Sequence, residues 1–168
     1  MSAPQPPVTL LLAPAHPAPT RAVAQRAPAA ALAGLWLMGL LGLYTGLQQQ
    51  FLPRVFYDQF PGFGMAWVAQ DGPFNEHLMR DLGGANLALT FLVFLAIARP
   101  TASLVRGVAF ATLIAQAPHV VYHALHLDLL PNTLERVLQT ASLALVLLIP
   151  VFVLIAARDM GDALATLR

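Results

Sequence analysis

Apolar residues fall into four long blocks separated by short polar breaks, and each block exceeds the ~20 residues needed to cross a bilayer as a helix. The blocks cover residues 29–47, 75–98, 103–127 and 132–157. Polar residues return at once where the last block stops, at Arg158, Asp159 and Asp162. The spacing predicts an all-α integral membrane protein, an antiparallel four-helix bundle occupying residues 29–158 as one domain. Residues 1–28 are rich in Pro and Ala, lack an apolar period and read as a disordered tail. Residues 159–168 read as a second, short tail. The apolar run Val8 to Ala13 is too brief to span, and no small-residue cleavage site follows the first block, which argues against a cleaved signal peptide.

Composition supports this setting. The chain of 168 residues is 58% hydrophobic and 10% charged, where a soluble domain carries about 25% charged residues. All nine basic residues are arginine, and with eight acids they leave a formal charge of +1, which gives no basic surface for nucleic acid. The chain has no cysteine, so disulfides, thiolate metal sites, iron–sulfur clusters and a catalytic thiol are excluded.

Arginine also sets an orientation. With both termini in the cytoplasm, Arg21, Arg26, Arg99, Arg106, Arg158 and Arg168 lie inside, and Arg54, Arg80 and Arg136 lie outside. The expectation is a multi-pass protein of the plasma (inner) membrane. Its one long connection, residues 48–72, would be external. That segment carries Phe51, Phe56, Tyr57, Phe60, Phe63 and Trp67, interrupted by Pro53, Pro61, Gly62 and Gly64. Rings at this density suit an interfacial anchor in the headgroup zone, with a lid over a pocket mouth as the functional alternative. Small residues mark close approaches: Gly42 and Gly46, which would also permit a homodimer, Gly83 and Gly84, and Gly107.

The chemistry concentrates on the third block. His119, His123 and His126 share an arc of about 60° on one helix face. Ionisable groups inside a span are costly and point at one another, at a cavity or at an ion. On the second block His77 and Asp81 share a face, with Gly84 below them. Matching depth across the short turn between the two helices puts His77 near His126, Asp81 near Tyr122 and His123, and Gly84 near His119. Tyr44 and Gln48 on the first helix, and Glu135, Gln139 and Ser142 on the fourth, add polar groups at the same level. The pattern predicts a polar chamber in the outer half of the bundle, above an aliphatic inner half.

Such a chamber suits a transition metal such as copper, zinc, iron or manganese, held by His77, Asp81, His119 and His123, with His126 and Glu135 completing or orienting the site. A redox or metal-handling subunit would follow. Three alternatives use the same residues or none of them. His77, Asp81, His119 and His123 could serve as general acid and base on a quinone-, polyprenyl- or sterol-like amphiphile. Opposed imidazoles could ligate haem, though no attachment motif is present. The bundle could also be a non-catalytic accessory subunit of a larger membrane complex. Whether the protein is an enzyme stays open at this point. Boundary pairing offers a plainer role for the acids, Asp81 with Arg80 or Arg54 and Glu135 with Arg136. Asn86 and Gln116 are expected to make interhelical hydrogen bonds, and Pro118 to kink the third helix.

The stretches Pro73 to Leu89 and Pro118 to His126 resemble those of small four-span membrane proteins from high-GC Gram-positive bacteria, similar in layout to DoxX-like proteins. The resemblance implies a four-helix membrane fold and carries no established activity.

Overall fold

The computed structural model describes residues 27–161. The tail readings for residues 1–26 and 162–168 lie outside the described residues. Helix α1 spans Ala29–Phe51, and a connecting segment follows: α2 (Pro53–Gln59), a two-stranded antiparallel hairpin of β1 (Pro61–Gly62) and β2 (Met65–Ala66), and the single turn α3 (Trp67–Gln70). Then come α4 (Glu76–Ala98), α5 (Ala102–Leu125), a 3-10 turn at Leu127–Leu129, and α6 (Thr133–Ala156). The helices α1, α4, α5 and α6 are each long and apolar enough to cross a membrane, which makes this a multi-pass all-α bundle.

Local sequence explains where the helices begin. Asn75 Oδ1 accepts from Leu78 N at 3.1 Å, Thr101 Oγ1 from Leu104 N at 3.2 Å, and Asn132 Oδ1 from Glu135 N at 3.0 Å. Each side chain satisfies a backbone donor that a helix start leaves open. Helix α5 runs through Pro118, so that residue lies inside one continuous helix.

Around the bundle α1 packs along α4 and α6, and α5 packs along α6; α4 and α5 touch less, although a short turn joins them. Glycine permits the tightest approach. A Cβ on Gly83 would stand 2.5 Å from Gln50 N and 2.8 Å from its Cα, so α1 and α4 meet backbone to backbone there. Gly42 and Gly46 receive Thr90 and Leu87 of α4, and are thus used inside the bundle. Asn86 Nδ2 donates to Gln49 Oε1 at 2.6 Å across the same helix pair, as the sequence suggested.

The dense core lies at the end of the bundle where α1 begins and α6 stops. Ala31, Leu35 and Met38 of α1 meet Val93 and Ala96 of α4, Val105, Val108 and Ala109 of α5, and Ile149 and Val153 of α6. Lipid is as apolar as these side chains, so close packing holds them together, with no hydrophobic transfer term between helices. Arg106 closes this end. Its guanidinium donates to Ala157 O at 3.0 Å, Arg158 O at 2.8 Å and Met160 O at 2.7 Å, carbonyls of the turn that follows α6. Toward the other end packing loosens: from Phe110 to Leu129 no residue is buried.

The connecting segment folds over this looser end. Tyr57 Oη donates to Gly72 O at 2.7 Å, and Arg54 pairs with Asp58 at 2.7 Å while lying over the rings of Tyr57 and Phe74. Phe56 and Trp67 are buried, whereas Phe51 and Phe63 stand exposed. The aromatic residues therefore divide between packing the cap and facing outward.

Candidate functional site

Helix geometry places the histidine face. Phe110, Ile114, Val121 and Leu125 are exposed and lie within about 60° of one another on α5, the stripe that faces lipid. His119, His123 and His126 lie roughly opposite that stripe. His119 is nonetheless exposed. The His123 side chain is only 12% exposed, because a residue from the connecting segment covers it.

That residue is Asp71. Its Oδ2 stands 3.9 Å from His123 Nδ1, and its side chain is 27% exposed. Burial raises the Asp71 carboxyl above its ordinary range, and the nearby imidazoles of His119 and His126 pull it back down in part. The rings form a continuous group. His119 and His123 meet edge to face with centroids 4.6 Å apart, Tyr122 meets His123 at 5.3 Å, and Tyr122 stacks on His126 at 4.2 Å. His126 Nδ1 lies 2.7 Å from Tyr122 O. A carbonyl only accepts, so Nδ1 carries the proton in the neutral ring and Nε2 keeps a lone pair.

The remaining candidates stand elsewhere. His77 Nε2 lies 3.3 Å from Asp81 Oδ2, and both side chains are exposed, at 88% and 63%. Asp81 thus pairs with its own helix neighbour and not with His123, and its partner is neither Arg80 nor Arg54. Arg80 instead binds Glu76 at 2.7 Å and donates to Gln50 O, which caps the end of α1. Gly84 meets the Gln50 side chain, where the sequence placed His119. Glu135 completes a reciprocal cap: Asn132 Nδ2 donates to its Oε1 at 2.9 Å while Asn132 Oδ1 accepts from its backbone N–H. Arg136 donates to Leu130 O and does not pair with Glu135. Among the described residues, no group of three or more His, Asp or Glu side chains is arranged to hold one metal ion. The six expected ligands therefore separate into His77 with Asp81 on α4, the three histidines on α5, and Glu135 at the start of α6.

The polar interior at this end is incompletely paired. Gln139 is 5% exposed, and the buried Gln48 Nε2 and Trp67 Nε1 have no hydrogen-bond partner in the structure.

Asp71 is not among the site residues expected from the sequence. The cap of α4 is Asn75, which lies directly before its first turn. Gly72 at φ +138° and Pro73 separate Asp71 from α4, leaving it as the C-terminal cap of α3. No known protein family, no curated protein and no solved structure matches this chain.

Proposed function

We propose that this multi-pass membrane protein uses Asp71, His119 and His123, flanked by Tyr122 and His126, as an acid–base site that exchanges protons with an amphiphile entering from the bilayer. The observation that carries this reading is the Asp71–His123 pair at 3.9 Å. At that distance the two are not hydrogen-bonded, but a carboxylate near an imidazole favours its charged form, and histidine is the side chain whose ordinary pKa lies near neutrality. His119 is exposed and so open to an approaching molecule, and the partly buried Asp71 supplies a carboxyl whose pKa is raised above its ordinary range. Arginine distribution supports placing the termini in the cytoplasm and this site at the outer side of an inner membrane. The DoxX-like layout belongs to the same proposal and adds no activity to it.

The test is extraction of small molecules from protein purified out of its host membrane, followed by mass spectrometry. The reading expects a quinone or isoprenoid lipid retained by the wild type and by His77→Ala, and lost in Asp71→Asn and His123→Ala. Equal retention in all four proteins, or no bound amphiphile at all, would overturn it.

A second reading is a transition metal ion, copper, zinc or iron, on the same residues. It draws on the His119–His123 pair, two imidazoles one helical turn apart with Asp71 close by. Asp71 would have to move inward to join them, since the three groups do not converge as they stand. Elemental analysis of protein purified under metal-replete conditions decides this: a full equivalent that disappears in His119→Ala supports it, and a trace amount unaffected by the substitution removes it.

A further inference from the structure

A second candidate site lies between the hairpin and the first turns of α6, an open groove of about 630 Å³ lined by Phe63, Met65, Trp67, Leu134, Glu135 and Leu138. It shares no side chain with the Asp71–His123 cluster and does not rest on the reading given to that cluster.

Three features define what fits. First, the groove holds an acid without a cation: Glu135 accepts from the Asn132 amide through one oxygen, and no cation among the described residues pairs with it. Arg136, its neighbour in sequence, is spent on Leu130 O. The start of α6 contributes about half a positive charge, and the full carboxylate charge outweighs it. Second, the rings of Phe63 and Trp67 stand in the same groove, and aromatic faces attract ammonium groups as carboxylates do. Phe63 is 97% exposed, held outward at φ +59° between two glycines of positive φ. Third, Met65, Leu134 and Leu138 line the same groove and give it an apolar wall.

We propose that this groove binds an ammonium-bearing membrane lipid, its chain lying along Met65, Leu134 and Leu138 and its ammonium directed to Glu135. The apolar wall accounts for the chain, and the lone carboxylate and the rings account for the charge. A lipid whose head group is purely anionic is repelled by Glu135.

The experiment uses the full chain with Trp36→Phe, which leaves Trp67 as the only indole. The protein is reconstituted in phosphatidylglycerol vesicles, and brominated phosphatidylethanolamine or brominated phosphatidylglycerol is titrated in while indole fluorescence is followed. Trp67 should be quenched at roughly fivefold lower mole fraction by the ethanolamine lipid, the size of one partly exposed charge contact. Glu135→Gln keeps the cap, since a glutamine oxygen still accepts from Asn132, and should abolish the preference. His123→Ala should leave it intact. Equal quenching by both lipids in the wild type, or an undiminished preference in Glu135→Gln, would overturn the assignment.

Discussion

Asp71 at the end of α3 and His123 in the last turn of α5 meet at 3.9 Å, and this one pair ties the folded connecting segment to a membrane-spanning helix. The tie has a pH dependence whose direction follows from Asp71. Its carboxyl in the folded protein sits above the ordinary value of 3.8, chiefly because it is buried. A group raised on folding contributes stability that is full below the unfolded value and is lost as pH rises through the folded one. Asp71→Asn has no proton to lose. Its melting temperature in detergent, measured from about pH 3 to pH 7, should therefore rise relative to the wild type across that window and then level off. A constant difference at every pH would mean that Asp71 carries no such cost.

The His77–Asp81 pair should behave otherwise. Both side chains are exposed on α4, where an i, i+4 ion pair contributes about 0.5 kcal/mol or less. His77→Ala and Asp81→Asn should each shift stability by no more than that in a denaturant titration, and the double variant should match the sum of the two. A loss above about 2 kcal/mol from either would place them in a buried network instead.

Much of this division was readable in the chain. The four helices follow from apolar length alone, which is a local signal, whereas the caps Asn75, Thr101 and Asn132 are seen in the structure. The spacing of His119 and His123 is likewise local, and the two rings meet edge to face on α5. What faces them was not legible. Matching depth across the α4–α5 turn assumes that neighbours in sequence are the closest neighbours in space, yet α4 packs mainly on α1, with Gly83 against Gln50 deciding its rotation. That rotation leaves His77 and Asp81 exposed and frees the space that Asp71 enters from the connecting segment. A loop acid carries no periodicity, so nothing local singled it out.

The same contact makes a stability prediction. The atoms nearest a Cβ at Gly83 are the backbone of Gln50 and Gln49, which cannot rotate aside as a side chain could. Gly83→Ala should cost about 1–3 kcal/mol, the usual range for forcing apart a close-packed contact. Gly107 on α5 has nothing within 4 Å of its would-be Cβ and lies at an ordinary helical φ. Gly107→Ala should be neutral or stabilising by up to about 1 kcal/mol, from helix propensity alone. Unfolding of the two variants in mixed micelles, read by circular dichroism, separates these outcomes. Equal effects would show that α1 and α4 do not meet where Gly83 lies.

At the opposite end, Arg106 donates through a single nitrogen to three carbonyls of the turn that follows α6, those of Ala157, Arg158 and Met160. Hydrogen bonds from a charged donor contribute about 1.5–3 kcal/mol each, and bonds sharing one donor are not additive. Arg106→Met keeps much of the stem and removes the guanidinium, so it should destabilise the bundle by about 2–3 kcal/mol. Lysine carries the charge without the planar fork and should recover only part of that loss. Hydrogen exchange locates the effect: the amides of α6 nearest Ala157 should lose protection in Arg106→Met while those near Gln139 keep theirs. Uniform loss along α6 would mean that the arginine supports the whole helix, and unchanged exchange that water serves those carbonyls equally well.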